Sequence, residues 1–211
     1  MAGGGNTDSY DGAKLRVAVI DAGGANLGSV RYALERFGVA ASIARDPDDL
    51  RGADRVILPG VGAAAPAMAL LRDRGFDIAL RASQAPLFGI CLGMQLLFES
   101  SEEGDVECLG LLPGHVGRMQ PAPGVRVPHM GWNTLCDVSQ SASFLDGIKE
   151  GDHAYFVHGY AAPVTQDCIA TCHHGDQFAA IVQRGMVHGA QFHPERSAAA
   201  GARLLANFLS G

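Results

Sequence analysis

Short apolar runs alternate with stretches of helical periodicity through the first hundred residues, and this alternation constrains the chain more than any other feature. Leu15–Ala22 reads as a buried strand, closed by a turn at Gly23-Gly-Ala-Asn26. Leu27, Val30, Leu34 and Phe37 then recur at helical spacing until Gly38 stops the run. Val39–Ala44 and Arg55–Leu58 read as two more strands, the second ending at Pro59-Gly60, and helical stretches cover Ala65–Arg74 and Phe76–Ser83. Pro86 opens a fourth strand, Leu87–Ile90, where a missing N–H is tolerated, and Leu92–Ser100 reads as a helix. Strands separated by helices pair in parallel, and a parallel sheet needs both faces covered.

Beyond residue 100 the runs are short and β-rich: His115–Met119, Arg126–Met130, Ala154–Val157, Cys168–Cys172, Phe178–Arg184 and Val187–Phe192. A helix over Ser197–Leu209 follows, with Ala200, Leu204, Leu205 and Phe208 on one side. The expectation is a single α/β domain over residues 14–211. It has a central, mostly parallel sheet flanked by helices, with antiparallel additions in the C-terminal half. Residues 1–13 are Gly-rich and polar, carry too little apolar surface to fold, and read as a flexible leader.

Composition narrows the function classes. A chain of 211 residues that is 47% apolar can bury one substantial core. A net charge of −6 with no Lys/Arg cluster argues against nucleic acid or an anionic membrane as partner. The uncharged stretch Val56–Leu71 is broken by Pro59 and Pro66 and falls short of the ~20 apolar residues of a membrane span. The first residues lack a basic region followed by an apolar run, so no secretory signal is read there. Five cysteines, an odd number in a chain of this length, favour free thiols and a cytoplasmic setting over a disulfide framework. Cys168, Cys172, His173 and His174 have no second ligand pair at zinc spacing, so neither a metal nor a cofactor is expected.

The chemistry concentrates in three short motifs. Gly89-Ile-Cys-Leu-Gly93 lies between a buried strand and a helix, the sequence form of a nucleophile elbow with Cys91 in the place of serine. Flanking glycines permit the sharp turn, and the helix N-terminus beyond it favours a thiolate. Cys91 and Gln95, one turn apart, face the same space. Among eight histidines, His193 stands out because Glu195 follows two residues later across Pro194. In extended chain those two side chains share a side, so the carboxylate can hold one ring nitrogen and leave the other for the thiol. Pro59-Gly-Val-Gly62 ends the third strand near the same sheet edge, where two glycines let a backbone N–H turn toward a developing oxyanion. The Leu92 N–H is the natural second donor.

These three motifs, in this chain order, resemble a class I glutamine amidotransferase, from about Leu15 to the C-terminus. Within that family, Gly89-Ile-Cys-Leu-Gly-Met-Gln95, Pro128-His-Met-Gly-Trp-Asn133 and Tyr155-Phe-Val-His158 resemble the glutaminase subunits of imidazole glycerol phosphate synthases. The resemblance implies that Cys91, His193 and Glu195 are catalytic and that the Val61 and Leu92 N–H groups bind the oxyanion. It places glutamine against Gly62, Gln95, Glu103 and Tyr160. It also implies a heterodimer with a (β/α)₈-barrel cyclase subunit, faced by Asn26, Trp132 and Arg196, in histidine biosynthesis. Two positions depart from the family: Gly159, where Ser or Thr is common, and Arg196, where Lys is common. The alternatives are the glutaminase subunit of another amidotransferase, or an amidotransferase-like binding protein without catalysis. A Gly-Gly-Glu-Ser turn would mark the pyridoxal type, and this chain has Pro59-Gly-Val-Gly62 instead.

Overall fold

A computed structural model describes residues 15–23 and 27–211. The expected leader and Asn26 lie outside the described residues. The first half contains β1 (Val17–Ile20), α1 (Leu27–Glu35), β2 (Ala41–Ala44), β3 (Arg55–Gly60), α2 (Ala64–Asp73), α3 (Phe76–Ala82), β4 (Leu87–Cys91) and α4 (Leu92–Gln95). The second half contains β5 (Ser100–Ser101), β6 (Val106–Glu107), β7 (His115–Arg118), β8 (His129–Thr134), β9 (His153–His158), β10 (Tyr160–Ala161), β11 (Cys168–His174), β12 (Asp176–Arg184), β13 (Val187–Ala190) and α5 (Ala198–Ser210).

Seven strands form the main sheet in the order β11-β12-β13-β4-β3-β1-β2. The β2, β1, β3, β4 and β13 pairings are parallel, and β12 and β11 extend the sheet antiparallel. Alternation along each central strand divides the core in two. Val17, Val19 and Ile57 belong to one buried cluster with Phe88, Phe192 and Phe208. Ala18, Ile20, Val56 and Leu58 belong to the other, with Met68, Leu71 and Phe76. Successive side chains of a strand point to opposite faces, so a sheet buried on both faces yields two cores. This is the α/β architecture with antiparallel C-terminal strands that the sequence predicts.

The largest departure is after Cys91. The helix expected over Leu92–Ser100 stops at Gln95. The Leu96, Leu97 and Phe98 carbonyls, which a longer helix would use internally, accept instead from the amides of Leu109, Leu111, Leu112 and Gly110. Partners from a distant segment therefore end the helix. The run read as Arg126–Met130 pairs only from His129 onward and continues to Thr134 against β9. The short pieces β5, β6 and β10 escape sequence reading because two residues carry no periodicity. Among the described residues no helix is long and apolar enough to cross a membrane.

Phe88 is fully buried in β4, 5.5 Å from the Phe144 ring and 5.1 Å from the Phe208 ring. Phe88→Ala is expected to cost about 3–5 kcal/mol in denaturant unfolding, from lost transfer energy and the cavity left behind. Ile78→Ala, at a side chain 71% exposed, is expected to change stability by less than about 0.5 kcal/mol.

Candidate active site

The pocket forms at the C-terminal edge of the parallel strands, where open α/β sheets collect their ligands. Cys91 closes β4 with φ 55 and ψ −112, a conformation that L side chains rarely adopt. Packing around the turn leaves room for nothing else. A Cβ on Gly93 would overlap the Leu58 carbonyl oxygen, and one on Gly89 would lie 2.7 Å from the Gly93 oxygen and the Met94 backbone. A Cβ on Gly60 would lie 2.8 Å from the Gly93 nitrogen. The elbow is thus pressed onto the end of β3, which carries the Pro59–Gly62 turn beside it.

Cys91, His193 and Glu195 come together although the first two are 102 positions apart in the chain. The Glu195 carboxylate bonds His193 Nδ1 at 2.8 Å, with 8% and 1% of the two side chains exposed. Burial works against charge on the imidazole, but hydrogen bonds and charge attraction from Cys91 and Glu195 overcome it and raise His193 to about 10. The ring is therefore poised as an imidazolium between the Glu195 carboxylate and the Cys91 sulfur. Its backbone is clamped as well: His193 N–H donates to the Tyr155 carbonyl at 3.0 Å. The Ser197 hydroxyl donates to the His193 carbonyl at 2.7 Å and accepts from the Tyr155 N–H at 2.9 Å.

Val61, Gly62, Leu92, Gln95, Glu103 and Tyr160 line the same cavity, about 290 Å³ in volume, together with Cys91 and His193. Gly62 has φ 99, a region where glycine is at ease. Glu103 accepts the Ala64 N–H at 2.9 Å; burial raises its carboxyl, partly opposed by that bond. A cavity of about 390 Å³ lies at the opposite end of β4, bordered by Pro86, Phe144, His188 and Phe208, and has no cysteine among its walls. Chemistry therefore favours the smaller cavity.

Trp132 and Arg196 are not in the pocket. They border a separate hollow of about 210 Å³ with Phe37 and the outer side of Glu195. Trp132 is 54% exposed and meets the Tyr155 ring edge-on at 5.8 Å. Gly159 lines the main pocket, and a Cβ there would stand 3.8 Å from Val127 and 3.9 Å from Pro128, in ordinary contact.

Sequence reading passes over Ser197, Gln191 and the pair His129–His158. Gln191 is fully buried; its carboxamide nitrogen is 3.9 Å from the Cys91 sulfur. His129 Nδ1 and His158 Nε2 are 3.0 Å apart. Burial lowers these rings to about 4 and about 3, keeping both neutral. The proximity of Gln191 to His193 in the chain is the one signal that could have found it. Cys168 and Cys172, by contrast, sit on β11 with thiols pushed up by burial to about 11 and about 12, and among the described residues no metal-ligating cluster forms.

The profile of the family "Glutamine amidotransferase class-I" matches residues 18–210. A protein of Xanthomonas euvesicatoria pv. vesicatoria (strain 85-10), "Imidazole glycerol phosphate synthase subunit HisH", is 68% identical over 193 residues, covering 92% of this chain and 96% of that protein. A protein of the same name from Xylella fastidiosa (strain Temecula1) is 62% identical with the same coverage. A solved "glutamine amidotransferase" superposes with a TM-score of 0.71 at 25% identity, covering 92% of this chain and 96% of that one.

An imidazole held at about 10 stabilises the folded state while it carries more charge than it would unfolded, where histidine titrates near 6.5. That contribution is complete below about pH 6.5, declines as the pH rises, and is gone above about pH 10. Melting temperatures of the wild type and His193→Gln from pH 6 to 10.5 should therefore show a gap that is widest at pH 6 and narrows steadily. A gap independent of pH would show that the ring is not charged.

Proposed function

The chain belongs to the class-I glutamine amidotransferase family, and from that premise we propose that it is the glutaminase subunit of an imidazole glycerol phosphate synthase, releasing ammonia for a separate cyclase subunit. The observation that carries this reading is the Cys91–His193–Glu195 array opening onto a pocket that also holds Gln95 and Glu103. The relatives at 68% and 62% identity support the finer assignment through their names.

The thiolate of Cys91 attacks the side-chain carbonyl carbon of glutamine. The Leu92 N–H and the Val61 N–H stabilise the resulting oxyanion; one such donor is worth about 10²–10³ in rate. His193, held through Nδ1 by Glu195, delivers a proton from its other nitrogen to the departing nitrogen. The C–N bond breaks, and ammonia leaves a thioester on Cys91. The same ring nitrogen, now unprotonated, takes a proton from water, whose oxygen attacks the thioester. Glutamate is released, and the thiolate–imidazolium pair is restored. One glutamine and one water become one glutamate and one ammonia.

Glu103 supplies negative charge for the α-ammonium of the substrate, while Gly62, Gln95 and Tyr160 complete its seat. Trp132 and Arg196 belong to the surface that meets the (β/α)₈-barrel cyclase. That surface adjoins the back of Glu195, so docking can bias the site. The Pro59–Gly62 turn is the bistable element: rotation of the peptide between its glycines presents or withdraws the Val61 N–H at little steric cost. A lone subunit kept quiet in this way does not waste glutamine.

Cys91→Ser is expected to abolish glutamine-dependent synthesis in the complex while synthesis from added ammonium salt persists; surviving glutaminase activity would reassign the nucleophile. Glu103→Gln removes a charge-assisted contact and should raise KM for glutamine about 10-fold or more, with a smaller effect on kcat. Equal glutaminase turnover for the lone chain and the complex with liganded cyclase would rule out the switch.

A further inference from the structure

One backbone carbonyl dictates the direction of a hydrogen-bond chain that ends at the nucleophile. The Tyr160 carbonyl can only accept, so the Gln95 atom 2.8 Å away is its amide nitrogen. That nitrogen's second hydrogen goes to a Gln191 atom at 2.9 Å, which must be the oxygen. The Gln191 nitrogen is then at the far end of its carboxamide, 3.9 Å from the Cys91 sulfur and within reach of a hydrogen bond to sulfur. Both hydrogens of Gln95 are consumed, so the atom it has left for the pocket is its oxygen.

The chain continues on the other side of the same carbonyl. His158 Nδ1 donates to it at 2.8 Å, which leaves His158 Nε2 as an acceptor for His129 Nδ1–H at 3.0 Å. His129 Nε2 in turn accepts from the Asn133 amide at 3.2 Å, and that amide also donates to the His173 carbonyl at 2.9 Å. Two main-chain carbonyls thus set every amide orientation and both tautomers, with no member able to reverse alone.

We infer that Gln191 is a positioning residue for Cys91: this oriented chain holds its carboxamide with an N–H toward the sulfur and keeps the Gln95 oxygen facing the pocket. The inference rests on the reading of Cys91 as nucleophile. An amide N–H is a far better partner for a thiolate than for a thiol, because the charged acceptor shortens and strengthens the bond. Gln191 is 0% exposed and Gln95 4% exposed, so the substitution of either leaves a buried partner short of a bond. The titratable groups that line the pocket with the sulfur are His193, His158, Glu103 and Tyr160, and a change at Gln191 alters none of them covalently.

The test is the rate of Cys91 alkylation by iodoacetamide from pH 5 to 10, read on the Cys91 peptide by mass spectrometry, in the full chain. Gln191→Met, similar in length and without a donor, should move the alkylation midpoint up by about one pH unit and slow alkylation about tenfold at pH values below the wild-type midpoint. Gln191→Glu, similar in shape but presenting a carboxylate to the sulfur, should do so more strongly, and it serves if the methionine variant fails to fold. Gln191→Asn, which keeps the amide, should recover part of the rate. Unchanged rate and midpoint in a folded variant would overturn the inference. Absence of glutamine hydrolysis by the wild-type complex would instead overturn the functional reading, while the alkylation profile still reports on the sulfur.

Discussion

The contact between the Cys91 elbow and the end of β3 is the constraint on which the rest of the site depends. Gly93 packs so closely on Leu58 that no side chain fits between them, and Gly60 meets Leu92 and Gly93 in the same way. Parallel pairing of β3 with β4 brings Gly60 opposite Cys91 in register. The Pro59–Gly62 turn and the thiol are therefore delivered to one place by one pairing. A shift in that register would separate the Pro59–Gly62 turn from the Cys91 thiol while leaving both motifs intact in the chain.

Electrostatics build on that frame. A buried imidazole on its own would shed its proton, as His129 and His158 do when burial holds them at about 4 and about 3. His193 shows the opposite direction, to about 10, because an ordered carboxylate and a thiol flank its ring. Three buried histidines close to one pocket thus carry different charges, decided by what each ring nitrogen faces.

Tyr160 illustrates how a main-chain group governs side chains at a site. Its carbonyl accepts from Gln95 and His158 together, so the polarity of two networks is set by an atom that mutation of the Tyr160 side chain leaves in place. The departure at Gly159 is compatible with this arrangement. The Gly159 carbonyl is occupied by the Met119 N–H at 3.0 Å.

The α/β class, the elbow, the His193–Glu195 pairing and the Pro59–Gly62 turn were legible in the sequence because each is local. Period-2 and helical patterns, glycines flanking a cysteine, and a carboxylate two residues from a histidine are all encoded within a few neighbouring positions. The end of α4, the clamp made by Ser197 and the buried amide of Gln191 were not legible. Their partners lie far along the chain: Leu109–Leu112 for α4, Tyr155 for Ser197, Gln95 and Cys91 for Gln191. Local pattern determined which groups could do chemistry. Only the tertiary structure decided which of them meet, because hydrogen-bond direction and burial depend on neighbours that the chain brings together by folding.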